Sequence, residues 1–173
     1  MKARWILTAV FVGLAALVAF SMAQADRDNN NHGGTFIVDV LVDVSTFTGP
    51  GQPFHVQGPI YPAGTFDMDD CMPTVEAIGF YHCWGHVPAT GGPGVVAQEF
   101  DLFGWGKIEA QGREGPGATL AVVGGTETFR NARGERLFVA QSLCPGSLGP
   151  GQAGAQSALT VEFDLIGAPV ARQ

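Results

Sequence analysis

Beyond its first 25 residues the chain has no stretch of useful length in which apolar residues recur at helical spacing, which argues against a helical fold. Charge is scarce: Asp, Glu, Lys and Arg make up 14% of the residues, against 46% that are hydrophobic. Disordered chains show the opposite balance. Basic residues are scarcer still, nine against sixteen acidic ones. An acidic chain of this kind is a poor partner for nucleic acid or anionic membranes. No Cys or His spacing resembles a zinc site. His82 and His86 stand four apart on a run that reads as a strand, which places them ~13 Å from each other, too far to share a metal. Gly124-Gly125-Thr126 has the look of a phosphate loop, but no Gly-Lys-Ser/Thr follows it. No Ser-His-Asp set and no close carboxylate pair follows from spacing. The sequence therefore implies neither a metal nor a cofactor.

What is present begins with an address. Lys2 and Arg4 precede the uncharged run Trp5–Phe20, and Ala23-Gln24-Ala25 forms a small-x-small cleavage site before Asp26. The run falls short of the ~20 apolar residues that span a bilayer. Residues 1–25 read as a signal peptide, 26–34 as a polar tether and 35–173 as one β-barrel domain. The protein is expected to be secreted or periplasmic, without stable membrane insertion after cleavage. The mature chain, Asp26–Gln173, keeps seven basic and all sixteen acidic residues, a net charge of −9.

Twenty-five glycines and eleven prolines punctuate apolar alternating runs, an all-β profile. Eight runs are expected as strands: Thr35–Val44, Phe54–Gln57, Val75–Val87, Val95–Phe103, Lys107–Arg113, Ala118–Val123, Arg136–Leu143 and Ser157–Ile166. Gly58-Pro59 is expected to break the second, and Cys144–Ala155 to form the one long loop. Eight short antiparallel strands suit a closed, calycin-like barrel, with a β-sandwich as the rival on pattern alone.

The three cysteines are an odd set for an exported protein. If residues 75–83 are extended, Cys83 lies ~26 Å beyond Val75, while four residues bring Cys71 back only ~14 Å. That disfavours Cys71–Cys83 and leaves Cys71–Cys144, loop to loop, as the feasible bond. Cys83 is then a buried thiol.

The segment Gly124–Glu135 holds a glycine pair closing a strand, then Phe129-Arg130 and Arg133-Gly134 at fixed offsets. It resembles the Gly-Gly-Thr-Gly-x-Phe-x-x-x-x-Gly signature of the allene oxide cyclase/dirigent barrel superfamily, with Glu127 in place of the third glycine. Phe103–Gly112 and Thr119–Val123 resemble the family's central strands, and weaker similarity covers about residues 35 to 166. The resemblance favours an eight-stranded antiparallel barrel over a sandwich. It also implies that Gly124, Gly125, Phe129, Arg130, Arg133 and Gly134 form a structural turn.

In the allene oxide cyclases a Gly-x-Cys turns toward the cavity. The same parity here points Gly79, Tyr81 and Cys83 inward, with His82, Trp84 and Glu99 outward. The resemblance adds Val96, Gln98, Phe100 and Leu102 to the inward set. Lys107, Glu109, Gln111 and Arg113 must face water, which leaves Ile108, Ala110 and Gly112 inside. The expected site is an apolar lumen in which Tyr81, Cys83, Gln98 and Phe100 meet a small hydrophobic ligand. Asp39, Tyr81 and Gln98 are the candidates to polarise it.

The implied activity is a cofactor-free cyclisation or isomerisation. The alternatives are a dirigent-like stereochemical guide and a non-catalytic binding or structural barrel. The last would assemble as a dimer or trimer through Phe80, Trp84, Phe103 and Trp105. Plant dirigent proteins carry Asp-Asp-Pro-Leu where this chain has Gln57-Gly58-Pro59-Ile60, so both acids of that segment are missing. N-terminal sequencing of the exported protein is expected to begin Asp26-Arg27-Asp28. A mature protein that keeps Trp5–Phe20 and partitions with membranes would overturn the signal-peptide assignment.

Overall fold

A computed structural model describes residues 33–115, 118–148 and 154–166. The expected signal peptide and most of the tether lie outside the described residues. Alternation of apolar and polar side chains builds the strands, because successive side chains on a strand take opposite faces. Ten strands form: β1 (Gly33–Thr46), β2 (Pro53–Pro62), β3 (Phe66–Asp67), β4 (Met72–Pro73), β5 (Gly79–His86), β6 (Gly94–Leu102), β7 (Gly106–Glu114), β8 (Thr119–Gly125), β9 (Arg133–Leu143) and β10 (Gln156–Ile166). Eight of them close into an antiparallel barrel in the order β1-β10-β9-β8-β7-β6-β5-β2, while β3 and β4 form a separate two-stranded sheet. The barrel closes where β1 meets β10, in unbroken register from Gly33↔Ile166 to Asp43↔Gln156. Closure leaves the barrel itself without an unpaired edge among the described residues.

The main core lies inside the barrel. Val38, Val40, Ile60, Ile108, Leu120 and Val161 are all fully buried within it. Each such side chain contributes about 1.5–3 kcal/mol by leaving water. A second core lies outside the barrel wall, where residues 63–78 fold back over β1 and β10. Tyr61, Phe66, Cys71, Cys144 and Ala158 pack there. A Cys71–Cys144 disulfide, with Cα atoms 5.4 Å apart, staples this flap to the turn after β9.

The structure corrects several strand bounds. β2 does not stop at Gln57 but continues through Gly58-Pro59 to Pro62. Pro59 lacks a backbone donor, and the β1–β2 ladder accordingly pairs Val40↔Ile60 and Asp43↔Gln57 with no pair between. The two backbones press together at that gap: a Cβ on Gly58 would stand 1.7 Å from the Leu41 carbonyl oxygen. β5 begins at Gly79 rather than Val75, because residues 75–78 belong to the end of the flap. The β3–β4 pair had no counterpart among the expected strands, since two residues per strand are too few to show alternation. One extra residue each on β8 and β9 shifts the ladder, between Val122 and Gly124 and between Phe138 and Ala140.

Gly58→Ala is expected to cost about 1–3 kcal/mol through this overpacking, read as a lower midpoint of urea unfolding. An unchanged midpoint would show that β1 and β2 can part at no cost.

Candidate functional site

β5 and β6 are neighbours in the barrel, and their register sets Tyr81 beside Phe100 and Cys83 beside Gln98. All four side chains are buried in the lumen. Their neighbours His82, Trp84 and Glu99 lie on the outer face, with Trp84 46% exposed. Below the polar residues the lumen is packed with rings. Tyr81 meets Phe100 at 4.8 Å between centroids, Phe100 meets Phe163 edge-on at 4.8 Å, and Phe163 stacks on Phe36 at 4.6 Å. Phe129 closes the series 5.8 Å from Phe36. That end of the barrel is filled.

Toward the other end, two residues absent from the expected site complete a polar cluster. Arg136 enters the lumen from β9 and has 0% of its surface exposed. Its Nε donates to Gln98 Oε1 at 2.8 Å and its Nη2 to Glu114 Oε1 at 3.0 Å. Nη2 also donates to Gln98 Oε1. Gln98 Nε2 donates in turn to Glu114 Oε1 at 2.8 Å and to the Cys83 sulfur at 3.7 Å. The guanidinium lies 3.6 Å from the centre of the Phe138 ring, a cation–π contact. Glu114, whose side chain is 23% exposed, carries the cluster to solvent at the end of β7. Phe54 and Val56, partly buried against the main core, lie toward this same end of the barrel, and Phe138 packs on Arg136 there. Among the described residues, the buried side-chain polar atom without a hydrogen-bond partner is Arg136 Nη1.

Both missed residues carried a signal. Glu114 extends the inward series Ile108, Ala110, Gly112 by one step, but the expected strand ended at Arg113. Arg136 shares parity with Gly134 and Phe138, yet a charged residue at a strand start reads as solvated.

Burial governs the electrostatics. It pushes the Cys83 thiol from 9.0 up to about 12, and the Glu114 charge adds to the rise. Hydrogen bonds from Tyr81 and Gln98 and the Arg136 charge oppose it. Burial also raises the Tyr81 hydroxyl well above its ordinary value, with Cys83 and Glu114 adding and Arg136 opposing. Both groups therefore stay protonated at neutral pH, as hydrogen-bond donors rather than nucleophiles.

Asp39 is elsewhere. It is buried, but on the outer side of β1 beneath the flap. One carboxylate oxygen accepts from the Gly64 amide at 2.8 Å and the other from the Thr160 hydroxyl at 2.8 Å. It ties the flap to the barrel wall and does not join the lumen group. Its parity is that of Ile37 and Leu41, opposite to the inward valines.

The glycine-pair turn caps the filled end. A Cβ on Gly125 would stand 2.3 Å from the Lys107 carbonyl oxygen, and one on Gly134 1.9 Å from that of Asp164. Phe129 is buried in the main core, and Arg133 donates to the Ala132 carbonyl at 2.6 Å. Arg130 is exposed, and Gly124 lies at the end of β8. Glu127, standing where the third glycine is usual, adopts φ +49 and opens a short 3₁₀ turn, Glu127–Phe129. The turn thus keeps a left-handed residue there at a cost of about 1–2 kcal/mol. Among the described residues no group of three or more His, Cys, Asp and Glu is placed to hold a metal ion.

No protein-family model matches the chain, and no curated protein matches it. Solved structures do. The pterocarpan synthase dirigent protein GePTS1 superposes with a TM-score of 0.53 over 85% of this chain and 91% of its own, at 10% identity. The fold is dirigent-like. A pyocyanin demethylase aligns at a TM-score of 0.42 and 17% identity, over 73% of this chain and 98% of its own.

The raised thiol and hydroxyl link stability to pH. The unfolded chain releases these protons at ordinary values, while the folded barrel holds them longer. Stability resting on the neutral forms is complete below about pH 9 and falls as pH rises toward 12. The loss per group is at most about 1.4 kcal/mol per pH unit. Cys83→Ala is expected to flatten this alkaline decline in a series of melting curves. Equal slopes for variant and parent would show that the thiol is not held neutral by the fold.

Proposed function

We propose that this chain is an exported barrel that binds a small hydrophobic molecule at the open end of its lumen. There it guides a cofactor-free cyclisation or isomerisation, in the manner of allene oxide cyclase-like and dirigent-like proteins. The observation that carries this reading is the hydrogen-bonded string Gln98–Arg136–Glu114, with Cys83 attached, inside an otherwise apolar lumen. Stability alone does not call for such a string, because well-packed apolar residues in place of a buried ion pair are often neutral or stabilising. It does suit a site that must orient a ligand with a few placed donors. Rate acceleration would come from holding one conformer of a reactive molecule, with Tyr81 and the Gln98–Arg136 pair polarising it. Asp39 takes no part, since both its oxygens are engaged under the flap.

A second reading, a dimer or trimer joined through the outer face, draws on exposed rings: Trp84 at 46%, Phe103 at 59% and Trp105 at 44%. His55 and His82 stack with Trp84 on the same face, each 5.4 Å from it. The two histidine nitrogens approach to 3.4 Å.

The test is fluorescence titration with a neutral apolar dye, N-phenyl-1-naphthylamine. Tyr81→Phe is expected to change its affinity several-fold while the unfolding midpoint stays within about 1 kcal/mol. Trp84→Ala should leave the affinity unchanged. Gln98→Leu is a poorer probe, because it strips Arg136 of an acceptor and should destabilise by about 1–3 kcal/mol. A dye that does not bind, or that answers only to Trp84→Ala, would sink the lumen reading.

A further inference from the structure

We infer that the lumen's ligand is a neutral, apolar molecule carrying a carbonyl-type acceptor oxygen, and that Arg136 Nη1 is the donor that receives it. This rests on the reading of the lumen as a binding site and narrows it to a chemical class.

A guanidinium has five N–H donors and no acceptor. Here Nε and Nη2 are spent on Gln98 and Glu114, and Nη1 is left without a partner although the residue is 0% exposed. A buried charged donor left unmade is among the costlier defects a fold can carry. The arrangement becomes economical when a ligand brings the missing acceptor. One nitrogen remains, and the fork that grips a carboxylate with two parallel bonds is already taken. A single oxygen therefore fits better than a carboxylate pair.

Charge points the same way. Glu114 already balances Arg136 at 3.0 Å. A ligand anion would bring a second negative charge to within a few ångströms of that carboxylate, in a setting where little water screens the repulsion. The site already disfavours added negative charge: after burial, Glu114 is a cause of the upward shifts at both Cys83 and Tyr81. A neutral carbonyl meets no such penalty and gains a charge-assisted hydrogen bond. Phe54, Val56 and Phe138 supply the apolar contacts for the rest of the molecule. Gln98 acts as a positioning residue: its Oε1 accepts from both Nε and Nη2, which fixes the plane of the guanidinium and hence the direction of Nη1.

Three probes of similar size separate the possibilities: acetophenone, isopropylbenzene and benzoate. Each is titrated against the full-length mature protein carrying N-phenyl-1-naphthylamine. Acetophenone should displace the dye about ten-fold or more better than isopropylbenzene, the size expected of a hydrogen bond to a charged group, and benzoate should be the weakest. Arg136→Met should abolish the preference for acetophenone over isopropylbenzene. Should that variant fail to fold, the parent protein still decides. Carbonyl-labelled acetophenone bound to it should show its infrared C=O band at lower frequency than in hydrocarbon solvent. Equal affinity for acetophenone and isopropylbenzene, an unshifted carbonyl band, or tighter binding of benzoate would each overturn the inference while leaving a lumen that binds. Failure of the dye itself to bind would remove the lumen reading and the inference with it.

Discussion

A closed barrel turns the strand's period of two into a partition: every side chain on the wall is either in the lumen or outside it. The rest of this structure depends on that partition. It sends Val38, Val40, Tyr81, Gln98, Ile108 and Arg136 to one space and Asp39, His82 and Trp84 to the other. Two charged residues, Glu114 and Arg136, reach each other from β7 and β9 because both fall on the inward parity of strands separated only by β8. Neither has to leave its strand's regular path.

The lumen is divided along its axis. At the glycine-pair end the rings of Phe36, Phe129, Phe163 and Phe100 occupy the space and hold one another by stacked and edge-on contacts. At the Glu114 end the packing gives way to a hydrogen-bonded string whose outermost member touches water. Tyr81 stands at the junction, its ring against Phe100 and Cys83 next to it on the same face of β5. The filled end supplies rigidity. The polar end supplies direction, since each donor's orientation is set by its neighbour.

The fold was legible because alternation survives over most of the wall, and the glycine pair with Phe129 and Gly134 distinguished a barrel from a sandwich. The inward placement of Tyr81, Cys83, Gln98 and Phe100 followed from parity once one strand was oriented. Arg136 was legible only in its parity with Gly134 and Phe138, not in its pairing. Its partners are 22 and 38 residues away, and no local pattern announces that a lone charge will be neutralised across the barrel. Asp39 was a candidate through the family resemblance alone; its parity, shared with Ile37 and Leu41, sets it on the outer side of β1. What buries it is a flap of bends and two-residue strands, for which the sequence carries almost no periodic signal. Gly58-Pro59 read as a break because both residues weaken strands. There the glycine instead permits a backbone contact and the proline sits opposite a gap in the ladder.

The pairing of β1 with β10 has a further consequence, for the order of events in making the protein. β1 can pair with β2 early, but it finds its second partner, β10, only when the last strand exists, so no nascent chain can close the ring. Until Gln156–Ile166 arrives, β1 offers a valine-rich free edge on one side and β9 another. Such long sequence separation slows folding. An incomplete barrel of this kind is a template for pairing between chains as well as within one.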